Sequence, residues 1–200
     1  MIHIGPHRLS QGSVMGEQVD ALIDRPIQIL YSDPPWGDSL LKRFATDTEK
    51  ATGVRPVQPS YSEVCARYAD LISRYVTDYV FIEVGRASWQ EMFNAVAPVL
   101  HDPEAVPFWY GADIQAVLIY GRRGEGENAP FRDLHGLKGL PFVKHVLGSI
   151  ARPGWTVLDP CCGAGYTARA AASMGMVFRG NELNPARLAK AEKYLRKMTE

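Results

Sequence analysis

Val157-Leu158-Asp159-Pro160-Cys161-Cys162-Gly163-Ala164-Gly165-Tyr166-Thr167 is the stretch on which the fold turns. Thr156 to Asp159 reads as a buried strand, and Pro160 stops it because proline cannot donate to a sheet ladder. Gly163 and Gly165 then break the chain into an alanine-rich helix, Thr167 to Met174, which ends at Gly175 in a left-handed cap. A further strand, Met176 to Glu182, follows. Asn184 caps and Pro185 starts a last helix, with Leu188, Ala191, Tyr194, Leu195 and Met198 expected on its apolar face. Strand, helix, strand and helix in this order predict parallel pairing with helical crossovers.

Toward the amino terminus, Ile27 to Tyr31 reads as a second buried strand, stopped by Asp33-Pro34-Pro35. Residues 37–59 have no clear period and are expected to form a long surface loop or a partly helical flap. Ser60 and Glu63 form a capping box ahead of a helix that carries Val64, Tyr68, Leu71, Ile72, Tyr75 and Val76 on one face. A strand over Tyr79 to Val84 comes next. Ser88 and Glu91 predict a second capping box opening a helix to about Ala97, and Ile114 to Tyr120 reads as another strand. Gly121 to Arg132 is expected to be a mobile loop, and Leu140 to Ile150 a short helix. The fold class is therefore α/β and Rossmann-like: a mainly parallel twisted sheet with helices on both faces, in a single domain over residues 1–200.

Charge and cysteine content narrow the function. Lysine plus arginine number 22 and aspartate plus glutamate 22, so the whole chain lacks the basic balance of an electrostatic nucleic-acid binder, and any such contact must come from a local patch. Cys65, Cys161 and Cys162 are odd in number and lack metal-ligand spacing, as do the five histidines. No metal is expected. Without a bilayer-length apolar run or a basic-then-apolar start, the chain is expected to be soluble and cytoplasmic, with no membrane partner.

In open parallel sheets ligands sit beyond the carboxyl ends of the strands, where strand order reverses. Two predicted strand ends carry unusual chemistry. At the first, Ser32-Asp33-Pro34-Pro35-Trp36, Asp33 and the carbonyl of Pro34 can each accept one N–H of an aromatic exocyclic amine, whose lone pair is otherwise delocalised into its ring. The prolines hold that carbonyl rigidly, and Trp36 offers a flat surface for an extruded base. At the second, Gly163 and Gly165 allow close backbone approach, and Glu182 closes the next strand where an acid takes the ribose hydroxyls of an adenosyl cofactor.

Together and in this order, the two ends resemble the permuted, beta-group family of DNA amino-methyltransferases, in which Asp-Pro-Pro-aromatic precedes Asp-Pro-Phe-Cys-Gly-Ser-Gly. Asp159, Pro160, Cys162, Gly163, Gly165 and Thr167 match the second motif, with Cys161 in place of phenylalanine; Asn184 and Pro185 match the Asn-Pro that often ends the next strand. His135 with Lys138 resembles the segment just upstream. The resemblance implies a methyltransferase fold and S-adenosyl-L-methionine as cofactor, held by Asp159, Pro160, Cys161, Gly163, Gly165, Thr167, Glu182 and Asn184. It implies catalysis at Asp33, Pro34, Pro35 and Trp36, on N6 of adenine in DNA. Members of that family usually carry an extra target-recognition region, whereas this sequence is expected to form one methyltransferase domain without a large separate one.

Phosphate contacts are expected from Lys42 and Arg43, just after the first motif, and from Arg122 and Arg123, with Arg132, in the predicted loop. Segments 37–59 and 121–139 would then grip the nucleic acid, and a homodimer would extend the surface. The rivals are the same transfer to N4 of cytosine, an RNA base or a glutamine side chain, and a non-catalytic subunit keeping the fold. Asp33 argues against the cytosine and glutamine readings, since such enzymes resembling this one often carry serine or asparagine there.

Overall fold

Alternation along the strands determines two helical layers. In the strand ending before Asp33, Ile29 and Tyr31 face one layer and Leu30 the other, each no more than 1% exposed. The computed structural model describes residues 1–109, 115–125, 134 and 136–199. In chain order its elements are β1 (Ile2–Ile4), β2 (His7–Gln11), α1 (Glu17–Asp20), β3 (Ile27–Ser32), α2 (Asp38–Thr52), α3 (Tyr61–Tyr75) and β4 (Val76–Gly85). There follow α4 (Trp89–Val96), a 3-10 turn (Ala97–Val99), β5 (His101–Trp109), β6 (Gln115–Arg122), α5 (Leu140–Gly148), β7 (Thr156–Asp159), α6 (Tyr166–Ser173), β8 (Val177–Glu182) and α7 (Pro185–Thr199).

The strands form one sheet in the order β1-β2-β8-β7-β3-β4-β6-β5. Pairing is parallel from β2 through β4 and antiparallel at both flanks. Helices α5, α6 and α7 pack through Phe142, Val146, Ala168, Ala171 and Leu188 on Ile29, Phe81, Val157 and Phe178. On the other face α2, α3 and α4 pack through Leu41, Val64, Tyr68, Ile72 and Met92 on Leu30, Val80, Ile82 and Leu158. The crossover from β3 to β4 thus covers one face and that from β7 to β8 the other. Adjacent β3 and β7 therefore part at their carboxyl ends, and the crevice between them is the switch point at which ligands bind in such sheets.

Several expectations are corrected. Of the two expectations for segment 37–59, the helical one holds: α2 fills Asp38–Thr52 and is ended by Gly53 at φ 74°. Its buried residues Leu41, Ala45 and Thr48 do recur at helical spacing, but the intervening charges hide the period. The Ser60–Glu63 capping box is present, with Glu63 N donating to Ser60 Oγ and Ser60 N to Glu63 Oε2. Ser88 makes no such box; its hydroxyl donates back to the carbonyl of Gly85. Val76 opens β4 instead of closing α3, and Tyr194 and Met198 lie on the wet side of α7, 39% and 44% exposed. The expected loop after Gly121 begins later, since Gly121 and Arg122 complete β6; residues 126–133 lie outside the described residues.

β1, β2, α1 and β5 were not expected from sequence. β5 contains Pro103 and Pro107, which an edge strand tolerates because one side of its ladder is unpaired. The N-terminal hairpin is anchored by Arg179 on β8, 1% exposed, which donates to Asp24 Oδ1 at 2.9 Å and to the Pro6 carbonyl at 2.7 Å.

Candidate active site

Asp159 ends β7 and Ser32 ends β3, and a hydrogen bond ties the two strands where they part. Ser32 Oγ donates to Asp159 Oδ1 at 2.8 Å and bonds the Tyr68 hydroxyl at 2.7 Å, so that α3 is joined to the same network. Asp159 Oδ1 also accepts from Cys161 N at 3.1 Å, and Thr167 on α6 bonds its carboxylate. Burial pushes the Asp159 carboxyl up to about 6 against these donors. These bonds tie β3, β7 and α6 together at the crevice.

Beyond the strand ends lies a cavity of about 330 Å3. Asp33, Pro34, Pro35 and Trp36 line one side, and Asp159, Pro160, Cys161, Gly163, Thr167, Glu182 and Asn184 the other. The two motifs, distant in sequence, thus share one chamber. Its roof comes from Leu41, Phe44 and Thr48 of α2 and from Pro56 to Pro59 after it.

Glu182 Oε2 accepts from Gly163 N and Oε1 from Asn184 N, both at 2.8 Å. Each oxygen keeps a lone pair for a further donor. Burial raises the Glu182 carboxyl above the ordinary glutamate range. Asn184 also caps α7, its Oδ1 accepting from Ala186 N at 2.9 Å. Nothing lies within 4 Å of a Cβ built on Gly163 at φ +52°, so the backbone there faces open space. Thr48 adds a buried hydroxyl that has no hydrogen-bond partner among the described residues. An open glycine turn, a buried acid with spare lone pairs and an unpartnered hydroxyl around one cavity fit an adenosyl cofactor.

Gly165 departs from expectation. It does not line the cavity; at φ +88° a Cβ would meet Ala191 Cβ at 2.8 Å and Cα at 2.9 Å. Glycine is required there for the left-handed turn and the contact of α6 with α7.

Asp33 is open to the cavity. Desolvation among the atoms around it, aided by the charge of Asp159, pushes its carboxyl up to about 7. The Trp36 indole opposes the shift by donating Nε1–H to Asp33 Oδ1 at 2.9 Å. That bond fixes Trp36, whose ring also packs on Gly85: a Cβ at Gly85 would sit 2.7 Å from the indole.

Sequence reasoning missed Glu83. It is 3% exposed, lines the same cavity, and accepts from the Tyr31 hydroxyl at 2.5 Å. Burial, followed by the charge of Asp33, raises its carboxyl well above the ordinary range. Its signal was an acid inside the apolar strand Val80-Phe81-Ile82-Glu83-Val84. Tyr68 and the roof of α2 were likewise missed.

The basic residues divide. Lys42 and Arg43 are exposed on the first half of α2, whose start adjoins the cavity. Arg122 and Arg123 are not at the site. β6 runs antiparallel to β4 and pairs Arg122 with Tyr79, so its end lies at the opposite edge of the sheet from Gly85. There Arg122 pairs with Asp102, and Arg123 Nη1 donates to the Val99 carbonyl at 2.6 Å. Arg132 and His135 lie outside the described residues, while Lys138 is described but does not line the cavity. No helix among the described residues is long and apolar enough to cross a membrane.

No family model matches the chain, and no curated protein matches it in sequence. Solved structures do match. One is a protein from Thermus thermophilus described as a DNA modification methylase, 17% identical, with a TM-score of 0.66 over 96% of each chain. Another is M1.HpyAVI, 18% identical, with a TM-score of 0.64 over 94% of this chain and 98% of that one. Both have also been solved with S-adenosyl-L-methionine. The PvuII cytosine-N4-specific DNA methyltransferase matches at 9% identity and a TM-score of 0.58 over 98% of this chain and 95% of that one. The chain has the α/β fold of these DNA methyltransferases.

Proposed function

We propose that this chain transfers a methyl group from S-adenosyl-L-methionine to the exocyclic amino group of a DNA base, N6 of adenine. The observation that carries the reading is that Asp33 and the Glu182–Gly163 pair line one cavity at the switch point. Glu182 and Gly163 would hold the adenosyl ribose, with Thr48 and Asn184 beside them. When bound, the cofactor supplies an electrophilic methyl on a cationic sulfur.

This chain's own residues do the rest. Asp33 Oδ2 and the Pro34 carbonyl each accept one N–H of the amine, which turns its lone pair out of the ring plane. Trp36, held by its bond to Asp33, limits where the base can lie. After transfer one amine proton leaves to Asp33 or to water. The acceptor role needs the carboxylate form, so the transfer rate rises with pH through about 7 and levels off above it. Lys42 and Arg43 on α2 remain candidates for phosphate contacts; Arg122 and Arg123 do not, for the positional reason given above.

The test is transfer of labelled methyl from the cofactor to duplex DNA by the purified chain, with the product base identified by digestion. N6-methyladenine supports the reading. N4-methylcytosine would favour the second reading, which the fold shared with a cytosine-N4-specific enzyme supports.

A further inference from the structure

A second groove opens on the other side of Trp36. It has a volume of about 510 Å3 and is bounded by Trp36, Leu40, Gly85, Arg86, Trp109 and Gln115. The hydroxyl-bearing residues Ser39 and Ser88 also line it. Trp36 and Leu40 belong to both this groove and the cavity that contains Asp33, so the two are neighbours at the carboxyl edge of the sheet. Its chemistry is distinctive. Trp109 is a large aromatic left 44% exposed at the end of the edge strand β5. Arg86 is exposed and, among the described residues, its guanidinium has no ion-pair or hydrogen-bond partner. No carboxylate among the described residues lines the groove.

Most other arginines are engaged. Arg67, Arg122, Arg179 and Arg196 hold carboxylates, while Arg152, Arg169 and Arg187 lie over aromatic rings. Among the described residues, an unpaired cation and an exposed indole share this groove with amide and hydroxyl groups and no acid, the combination that holds a nucleotide: base on ring, phosphate on guanidinium.

We infer that this groove holds the nucleotide adjacent to the target base on the same DNA strand, with its base stacked on Trp109 and its phosphate met by Arg86. The inference rests on the proposed function. Trp36 then stands as the partition between the reacting base and its neighbour. The groove thereby supplies, next to the chemistry, the phosphate contact that Arg122 and Arg123 cannot. Its reach to the base edge through Gln115 makes it a source of preference for one flanking base.

The experiment measures methyl transfer to a short duplex, and to an RNA of the same sequence, by the full chain and by Arg86→Ala, Trp109→Ala and Trp109→Phe. Cofactor affinity is followed by calorimetry. The expected result is a Michaelis constant for the duplex raised roughly tenfold in Trp109→Ala and largely restored in Trp109→Phe, since stacking survives. Arg86→Ala should raise it too and flatten the dependence of log affinity on log salt by about 0.9. kcat and cofactor affinity should stay within a few fold. If the parent methylates the duplex and neither Arg86→Ala nor Trp109→Ala changes its Michaelis constant, the groove is not a nucleotide site although the enzymatic reading stands. Loss confined to RNA would overturn the assignment to DNA. A parent that methylates no DNA would overturn both.

Discussion

Gly165→Ala should destabilise the fold while sparing the ligand cavity. The new methyl would lie 2.8 Å from Ala191 Cβ and 2.9 Å from its Cα, and backbone atoms cannot swing aside as a flexible side chain can. Overpacking of this kind costs about 1–3 kcal/mol. The backbone at φ +88° adds the left-handed penalty of about 1–2 kcal/mol for a residue with a Cβ. The sum, about 2–5 kcal/mol, is a large share of the roughly 5–15 kcal/mol that holds a domain folded. With a urea slope of about 2 kcal/mol/M, the unfolding midpoint should fall by about 1–2.5 M. Gly163→Ala is the control. At φ +52° with nothing within 4 Å it carries only the backbone cost, but its methyl projects into the cavity. Urea unfolding and calorimetry with S-adenosyl-L-methionine should separate them, Gly165→Ala losing stability and Gly163→Ala losing affinity. A Gly165→Ala protein that unfolds at the parent's midpoint yet binds cofactor poorly would refute this argument.

Three more outcomes are expected. Asp33 has a folded pKa of about 7, above its ordinary 3.8, so folding favours its protonated form; that stability is complete below about pH 4 and is lost as pH rises to about 7. Asp33→Asn, which cannot ionise, should gain thermal stability over the parent as pH rises through that window; a constant difference in Tm would contradict the shift. Glu83→Gln keeps an acceptor for the Tyr31 hydroxyl, whereas Glu83→Ala orphans a buried hydroxyl and should cost about 1–3 kcal/mol in urea unfolding; equal losses would mean the bond is idle. Changing Arg122 and Arg123 to alanine should leave the salt dependence of duplex binding untouched, since both face the far edge of the sheet; a flattened slope would mean that DNA reaches that edge.

Local patterning made the central elements legible. Strand β3 stops just before Asp33-Pro34 and β7 stops at Asp159 before Pro160, helix α3 begins on a capping box, and Asn184-Pro185 starts α7, each set by neighbours in sequence. The residues brought around one cavity were legible because both motifs sit at strand ends, where parallel topology fixes their position. Less legible was whatever depends on strand direction and packing. The antiparallel run of β6 carries Arg122 away from the site, a reversal that its residues do not encode. The partner of Gly165 is Ala191 on a different helix, so its glycine looks identical in sequence to one that faces a ligand. Edge strand β5 hid behind its prolines, and the burial of Glu83 depends on its tertiary partners, Tyr31 among them, which its place in the strand does not reveal.

The most direct test of the account compares the parent and Asp33→Ala for transfer of labelled methyl from S-adenosyl-L-methionine to duplex DNA, beside calorimetry of cofactor binding. Because Asp33 is assigned to the amine and not to the adenosyl group, the variant should bind cofactor within a few fold of the parent and transfer no methyl, while the parent yields N6-methyladenine. An Asp33→Ala protein that methylates DNA within a few fold of the parent would contradict the assignment of this site.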